Sequence, residues 1–219
     1  GSPVEAIEQA KAMGKTVLAL VGSPKHARRA LAKPIDILVA QGYDAGAHTG
    51  TVGTLSLVPQ VVDLVGDVPV IAAGGIATGR QLAASLAMGA QGVWTGTIWL
   101  ATREHAVDPH IAEHLIAAGS EDTVISRSWS GKTLRMLRTS WSEEWSAPGA
   151  PPPLKMPYQQ VLVGEIMAAV REHRVKPLLW EAAGQSVAYV KKIETVEETM
   201  DRLIEETEQS LGRLAGLKR

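Results

Sequence analysis

The chain has no cysteine among its 219 residues, which excludes disulfides, thiolate metal sites and a thiol nucleophile. Nor does either charge dominate: 22 Lys and Arg stand against 23 Asp and Glu, a formal net charge of −1. A chain so balanced carries no electrostatic footprint for nucleic acid or an acidic membrane surface. No apolar run approaches the ~20 residues that a bilayer-crossing helix needs. A basic, then apolar, then small-residue leader is missing from the N-terminus as well, so the expected location is the cytoplasm. What is present is ordinary for a globular protein, 45% hydrophobic and 21% charged.

Between residues 3 and 119 two kinds of segment alternate. Helix-like stretches occupy 3–14, 23–33, 54–66 and 79–90. Short, nearly all-apolar runs separate them: TVLALVG (16–22), DILVAQG (36–42), VPVIAAGG (68–75) and GVWTG (92–96). Runs of this length, spaced by helices, predict strands buried on both faces of a parallel sheet. Right-handed βα units follow, in an open sheet or a (β/α)8 barrel, and a spacing of roughly 20–30 residues per unit suits the barrel. Four units make half a barrel, with two open edges to be covered.

After residue 119 the pattern changes. Residues 120–157 hold the Trp-rich SWSEEW (140–145) and the proline run APGAPPPLKMP (147–157), predicting an irregular excursion with little regular structure. It reads either as a surface flap or as a lid. In a lid, Arg127, Lys132, Arg135 and Arg138, set among Trp129, Trp141 and Trp145, would anchor an acidic substrate such as an acyl-CoA phosphate. Residues 158–219 form a helical C-terminal region expected to pack on the barrel. In its last helix (193–216), Val196, Met200, Leu203, Ile204, Leu211 and Leu214 fall near one face, with Thr195 as cap and Glu197 and Glu198 at the positive dipole end.

Three stretches carry chemistry. VIAAGGIATG (70–79) runs from a strand through Gly74-Gly75 into a helix, a turn whose backbone N–H groups can approach an anion, or simply a close βα turn. GAQGVWTGTIWL (89–100) repeats the arrangement with Gly96-Thr97. Two consecutive turns of this kind match the phosphate site that follows strands seven and eight of many barrels. One unit earlier, QGYDAGAHTG (41–50) gathers small residues around His48, a side chain suited to proton transfer at neutral pH. His110-Ile-Ala-Glu113-His114 has the H-x-x-E-H spacing of a zinc site, yet lies among charged residues with no evident third ligand, so it reads as a solvated helix face and no metal is expected.

Together these stretches resemble the nitronate monooxygenase family, also called 2-nitropropane dioxygenases, and the related flavin-dependent enoyl-acyl-carrier reductases. The family's A-G-G-H-x-G loop is matched by Ala45 to Gly50, its A-x-G-G-I-x-x-G by Ala72 to Gly79, and its G-A-x-G-V-x-x-G-T by Gly89 to Thr97. A late Ala183-Gly184-Gln185 segment also agrees.

The resemblance implies strands five to eight of a (β/α)8 barrel that holds FMN. Gly74, Gly75, Gly96 and Thr97 would cradle its phosphate, Gln41, Ala45, Gly46, Ala73 and Gln185 would line the cofactor, and His48 would be the base. It implies oxidation of a small carbon acid such as a nitronate, with O2 as acceptor. The alternative is reduction of an acyl-CoA or acyl-carrier thioester with NAD(P)H, as in lipid or sterol breakdown. A third reading is a flavin-free fragment that binds a partner. The other barrel half would come from the same protein or a second chain, and a homo-oligomer is possible. The sequence departs from the pattern at Ala47, where the family has glycine, and at Ile98-Trp99, where it has arginine and phenylalanine.

Overall fold

The computed structural model describes residues 3–217. In chain order the elements are α1 (Val4–Ala12), β1 (Leu18–Val21), α2 (Pro24–Leu31), β2 (Ile37–Gln41), β3 (Ala47–His48), α3 (Thr54–Val65), β4 (Val70–Ala73), α4 (Gly79–Ala87), β5 (Gly92–Trp94), α5 (Pro109–Ala117), β6 (Thr123–Ser126), β7 (Leu134–Leu137), α6 (Ser140–Glu144), α7 (Tyr158–Glu172) and α8 (Val196–Ala215). They form two compact units. One holds the described residues up to Asp44, Gly50–Thr95 and the chain from Met200 on; the other holds Ala45–Thr49 and Gly96–Thr199. Among the described residues no helix is long and apolar enough to cross a membrane.

In the first unit the four apolar runs are the strands of one parallel sheet, in the order β1-β2-β4-β5. Each crossover carries one helix: α2, α3 and α4 in turn. A strand order that follows the chain without reversal is what a barrel's arc requires, whereas a doubly wound sheet reverses at a switch point. In the central strand Leu38, Val39 and Ala40 are fully buried, which is why no polar residue interrupts it. Leu57, Val58 and Val61 of α3 pack onto this sheet with Val21, Val70 and Ala72.

The last helix corrects one expectation. Thr195 and Glu198 do form its capping box, Glu198 N donating to Thr195 Oγ1 at 3.0 Å and Thr195 N to Glu198 Oε2 at 2.7 Å. Of the six apolar residues read near one face, only Leu203 is buried, while Val196, Met200, Ile204, Leu211 and Leu214 are exposed. Leu203, Glu206 and Thr207 instead face Gly79. The reason is close backbone approach: a Cβ on Gly79 would lie 2.5 Å from Leu203 O. Polar groups complete the contact, with Gly79 N donating to Glu206 Oε2 at 2.8 Å and Thr207 Oγ1 to Gly79 O at 3.3 Å.

The second unit corrects another. The stretch 120–157 is not structureless: β6 and β7 pair antiparallel, and β3 adds to β7, in the order β3-β7-β6. All four residues of β7 are buried, Arg135 among them, and Leu134, Met136 and Leu137 join a core with Leu115, Trp141, Met167 and Trp180. Polar side chains of the stretch are used internally. Ser128 Oγ accepts from Trp141 Nε1 at 3.0 Å, and Gln159 Nε2 donates to Ser128 O at 2.7 Å. Fully buried, Gln159 also accepts at Oε1 from Leu154 N at 2.8 Å, tying the proline run to the turn between β6 and β7.

Candidate functional site

In the parallel sheet the candidate residues lie at strand C-termini. Gln41 ends β2 and is in register with Ala73, which ends β4. Gly74 and Gly75 then turn the chain at φ of 100° and 72°, a region that glycine enters without steric cost. A Cβ on Gly75 would also come 2.8 Å from Asp44 Cβ. Asp44 Oδ2 accepts from Thr54 N at 2.8 Å, and Thr54 Oγ1 donates to Gly74 O at 2.9 Å. Asp44 and Thr54 thus brace the turn. No local sequence pattern links them to it.

The first turn of α4 is served by the chain's own acceptors. Ala77 N and Thr78 N donate to Gln81 Oε1 at 2.9 and 3.1 Å, and Gly79 N to the Glu206 carboxylate. Just upstream, the N–H groups of Gly75 and Ile76 donate to no acceptor among the described residues. Those amides are what this turn offers an anion.

The second unit gathers the other motifs. A Cβ on Gly46 would fall 2.7 Å from Ala183 C and Gly184 N, so a side chain there would push the late segment away. Gly184 N donates to Thr97 Oγ1 at 2.9 Å, and Ser120 Oγ to Gln185 O at 2.8 Å. Ala45 and Gly46, Gly96 and Thr97, and Ala183 to Gln185 are therefore one neighbourhood. Space beside Gly96 is open, with no atom within 4 Å of where its Cβ would be. Among the described residues the N–H groups of Gly96 and Thr97 also lack an acceptor.

His48 is fixed from two sides. Its backbone pairs in β3 with Leu134 of β7, and its Nε2 lies 2.6 Å from Ser130 Oγ. Partial desolvation of the ring, and then the Lys132 charge, hold its titration below the ordinary 6.5. At neutral pH the imidazole is neutral, the form that accepts a proton. Because the fold resists charging it, His48 removes stability as pH falls below 6.5 toward its lowered value and has no such effect above.

Ala47, where the family motif has glycine, has φ of 61°. An alanine there stores ~1–2 kcal/mol, against ~0.5–1 kcal/mol of extra chain entropy that a glycine would lose on folding. Ala47→Gly is expected to raise stability by about 0.5–1 kcal/mol, read as a higher urea midpoint. A lower midpoint would mean that the position carries no strain.

The basic residues of 120–157 are mostly engaged. Arg127 Nε donates to Gly131 O at 2.9 Å, buried Arg135 Nη1 to Thr123 Oγ1 at 3.1 Å, and Arg138 Nη2 to Glu121 O at 3.4 Å. Lys132 is exposed beside His48. In the other motif, His110 Nδ1 lies 3.5 Å from Glu113 Oε2 on α5. Among the described residues, no three His, Cys, Asp or Glu side chains are grouped to hold a metal ion.

The family model for nitronate monooxygenase matches residues 1–206. A Mycobacterium tuberculosis protein assigned as a monooxygenase is 43% identical over 221 residues, covering 98% of this chain and 59% of that protein. The (3aS,4S,5R,7aS)-5-hydroxy-7a-methyl-1-oxo-octahydro-1H-indene-4-carboxyl-CoA dehydrogenase of Rhodococcus jostii is 43% identical over 135 residues, 62% of this chain and 38% of its own length. Among solved structures, the nitroalkane oxidase of Streptomyces ansochromogenes, a neighbour of TIM-barrel type, superposes with a TM-score of 0.87 at 29% identity, over 97% of this chain and 63% of that one. The chain spans about three fifths of the length of its Mycobacterium relative.

Proposed function

The chain belongs to the nitronate monooxygenase family, and from that premise we propose that it carries the catalytic base and phosphate-binding turns of an FMN-dependent oxidoreductase. The observation behind this reading is the pair of glycine turns, Gly75-Ile76 and Gly96-Thr97, whose N–H groups have no acceptor among the described residues. A phosphate monoester supplies such an acceptor. Gly74, Gly75, Gly96 and Thr97 are read as phosphate contacts, and Gln41, Ala45, Gly46, Ala73 and Gln185 as cofactor neighbours. Bound there, the flavin supplies the electron acceptor of the reaction. His48 takes the proton from the carbon beside the nitro group of a small nitroalkane-type carbon acid, leaving its nitronate.

The four parallel strands are read as strands five to eight of the barrel, and the rest as belonging to the same protein or a second chain. Their unreversed order supports this, as do Leu18 and Leu20, 38% and 55% exposed on the edge strand β1, a surface that further strands would cover. A second reading is reduction of an acyl-CoA with NAD(P)H; its CoA-ester substrate is favoured by the name of the Rhodococcus relative, a carboxyl-CoA dehydrogenase, and by Lys132 exposed beside His48. Titration with FMN, followed by flavin absorbance, tests both: the chain is expected to bind it, and failure to do so would remove both in favour of a partner-binding fragment. Given binding, His48→Ala should keep FMN but slow O2 uptake on a neutral nitroalkane, whose carbon still holds the proton, by about 10²–10⁴-fold, with the preformed nitronate much less affected. NADH oxidation on an acyl-CoA without nitronate turnover would select the second reading.

A further inference from the structure

His48 stands against one particular hydroxyl. Ser130 Oγ lies 2.6 Å from its Nε2, and Ser130 is fully buried. The turn that presents Ser130 is closed by Gly131 N donating to Arg127 O and Arg127 Nε to Gly131 O, both at 2.9 Å. Inside it Ser128 is fully buried, fixed by Trp141 and Gln159. At its exit Gly131 has φ of 75°, its Cα packed so tightly that a Cβ would overlap Leu154 O. The hydroxyl itself sits near both backbone groups of Lys132, N at 3.3 Å and O at 3.4 Å.

We propose that Ser130 is the positioning residue of His48, holding its ring orientation and selecting the tautomer with hydrogen on Nε2. This rests on the reading of His48 as the base. The proton count follows from the contacts. A hydroxyl has one hydrogen; directed at Lys132 O, it leaves an Oγ lone pair facing the ring, so Nε2 must be the donor and Nδ1 the basic nitrogen. Directed at Nε2, it would leave Nδ1 protonated and useless as a base. Lys132 O at 3.4 Å gives the hydroxyl hydrogen an acceptor away from the ring, and with Lys132 N on one Oγ lone pair the other is left to face Nε2.

Nitrogen-15 NMR of the full chain labelled at histidine tests this without substrate or cofactor. The ring nitrogen shifts of wild-type His48 should report hydrogen on Nε2, with a titration below 6.5. Ser130→Ala should give mixed tautomers, and Ser130→Thr, which keeps the hydroxyl, should restore the single one. Lys132→Gln should raise the titration midpoint while leaving the tautomer unchanged, since it removes the charge and keeps the backbone. Hydrogen on Nδ1 in the wild type, or an unchanged tautomer in a folded Ser130→Ala, overturns the proposal. If the chain turns over a neutral nitroalkane, Ser130→Ala should lower kcat by about tenfold or more with KM unchanged, by analogy with outer-shell partners of other active groups. A His48→Ala chain that stays fully active would instead sink the base reading, and the tautomer result would still stand by itself.

Discussion

Gly79→Ala is expected to lift α8 from α4 and cost about 2–3 kcal/mol, the upper range for overpacking a tight contact. The added methyl would overlap Thr207 N and lie 2.5 Å from Glu206 Cβ and Leu203 O. Two of those three atoms are helix backbone, so no side-chain rotation relieves the clash. Retreat of the helix would lengthen the Gly79 N to Glu206 and Thr207 to Gly79 O bonds and expose Leu203, which is 4% exposed. The urea midpoint read by circular dichroism should fall, with hydrogen exchange faster across 200–215. Arg80→Ala, one residue on at an exposed position, should stay within about 0.5 kcal/mol of the parent. Equal midpoints for the two variants would show that the helix contact tolerates a methyl.

Gly131→Ala should be at least as costly in the second unit. It combines ~1–2 kcal/mol of left-handed strain with a methyl that overlaps Leu154 O and lies 2.7 Å from Met156 N. The expected loss is about 3 kcal/mol or more. Five of the six tryptophans (Trp99, Trp129, Trp141, Trp145 and Trp180) lie in that unit, so intrinsic fluorescence reports the change. Any shift of the turn also moves Ser130, so the His48 tautomer should become mixed. A variant as stable as the parent would mean that the turn can open without loss.

These two glycines mark where the sequence stopped being readable. Strands buried on both faces announce themselves, because Leu38, Val39 and Ala40 allow no polar neighbour in the run. Their ends were read one or two residues long, since Thr16, Val17 and Gly42 are compatible with a strand but lie outside the observed ones. Periodicity misled on α8 because it counts apolar residues, whereas this helix is seated by close backbone approach to a glycine far away in the chain. It failed again at β7, where LRML buries its arginine and so breaks the apolar pattern of a core strand. In the site, Gly74 and Gly75 were legible because a strand-to-helix turn at positive φ demands glycine. Asp44, Thr54 and Ser130 were not: each acts on a group that no short-range pattern connects to it.

The way the two units share the chain has a consequence for biosynthesis. The first unit is written in three separate stretches, the last beginning at Met200. A ribosome therefore delivers all four parallel strands long before it delivers the helix that seats against Gly79. Until then the nascent sheet carries an unfilled seat on α4, and nothing translated in the interval belongs to its own unit. Early termination at residue 199 would leave every strand and no closing helix, a product for chaperones and proteases. Closure of this unit therefore waits for translation past residue 200, and a fragment of continuous sequence that stops before it cannot reproduce it.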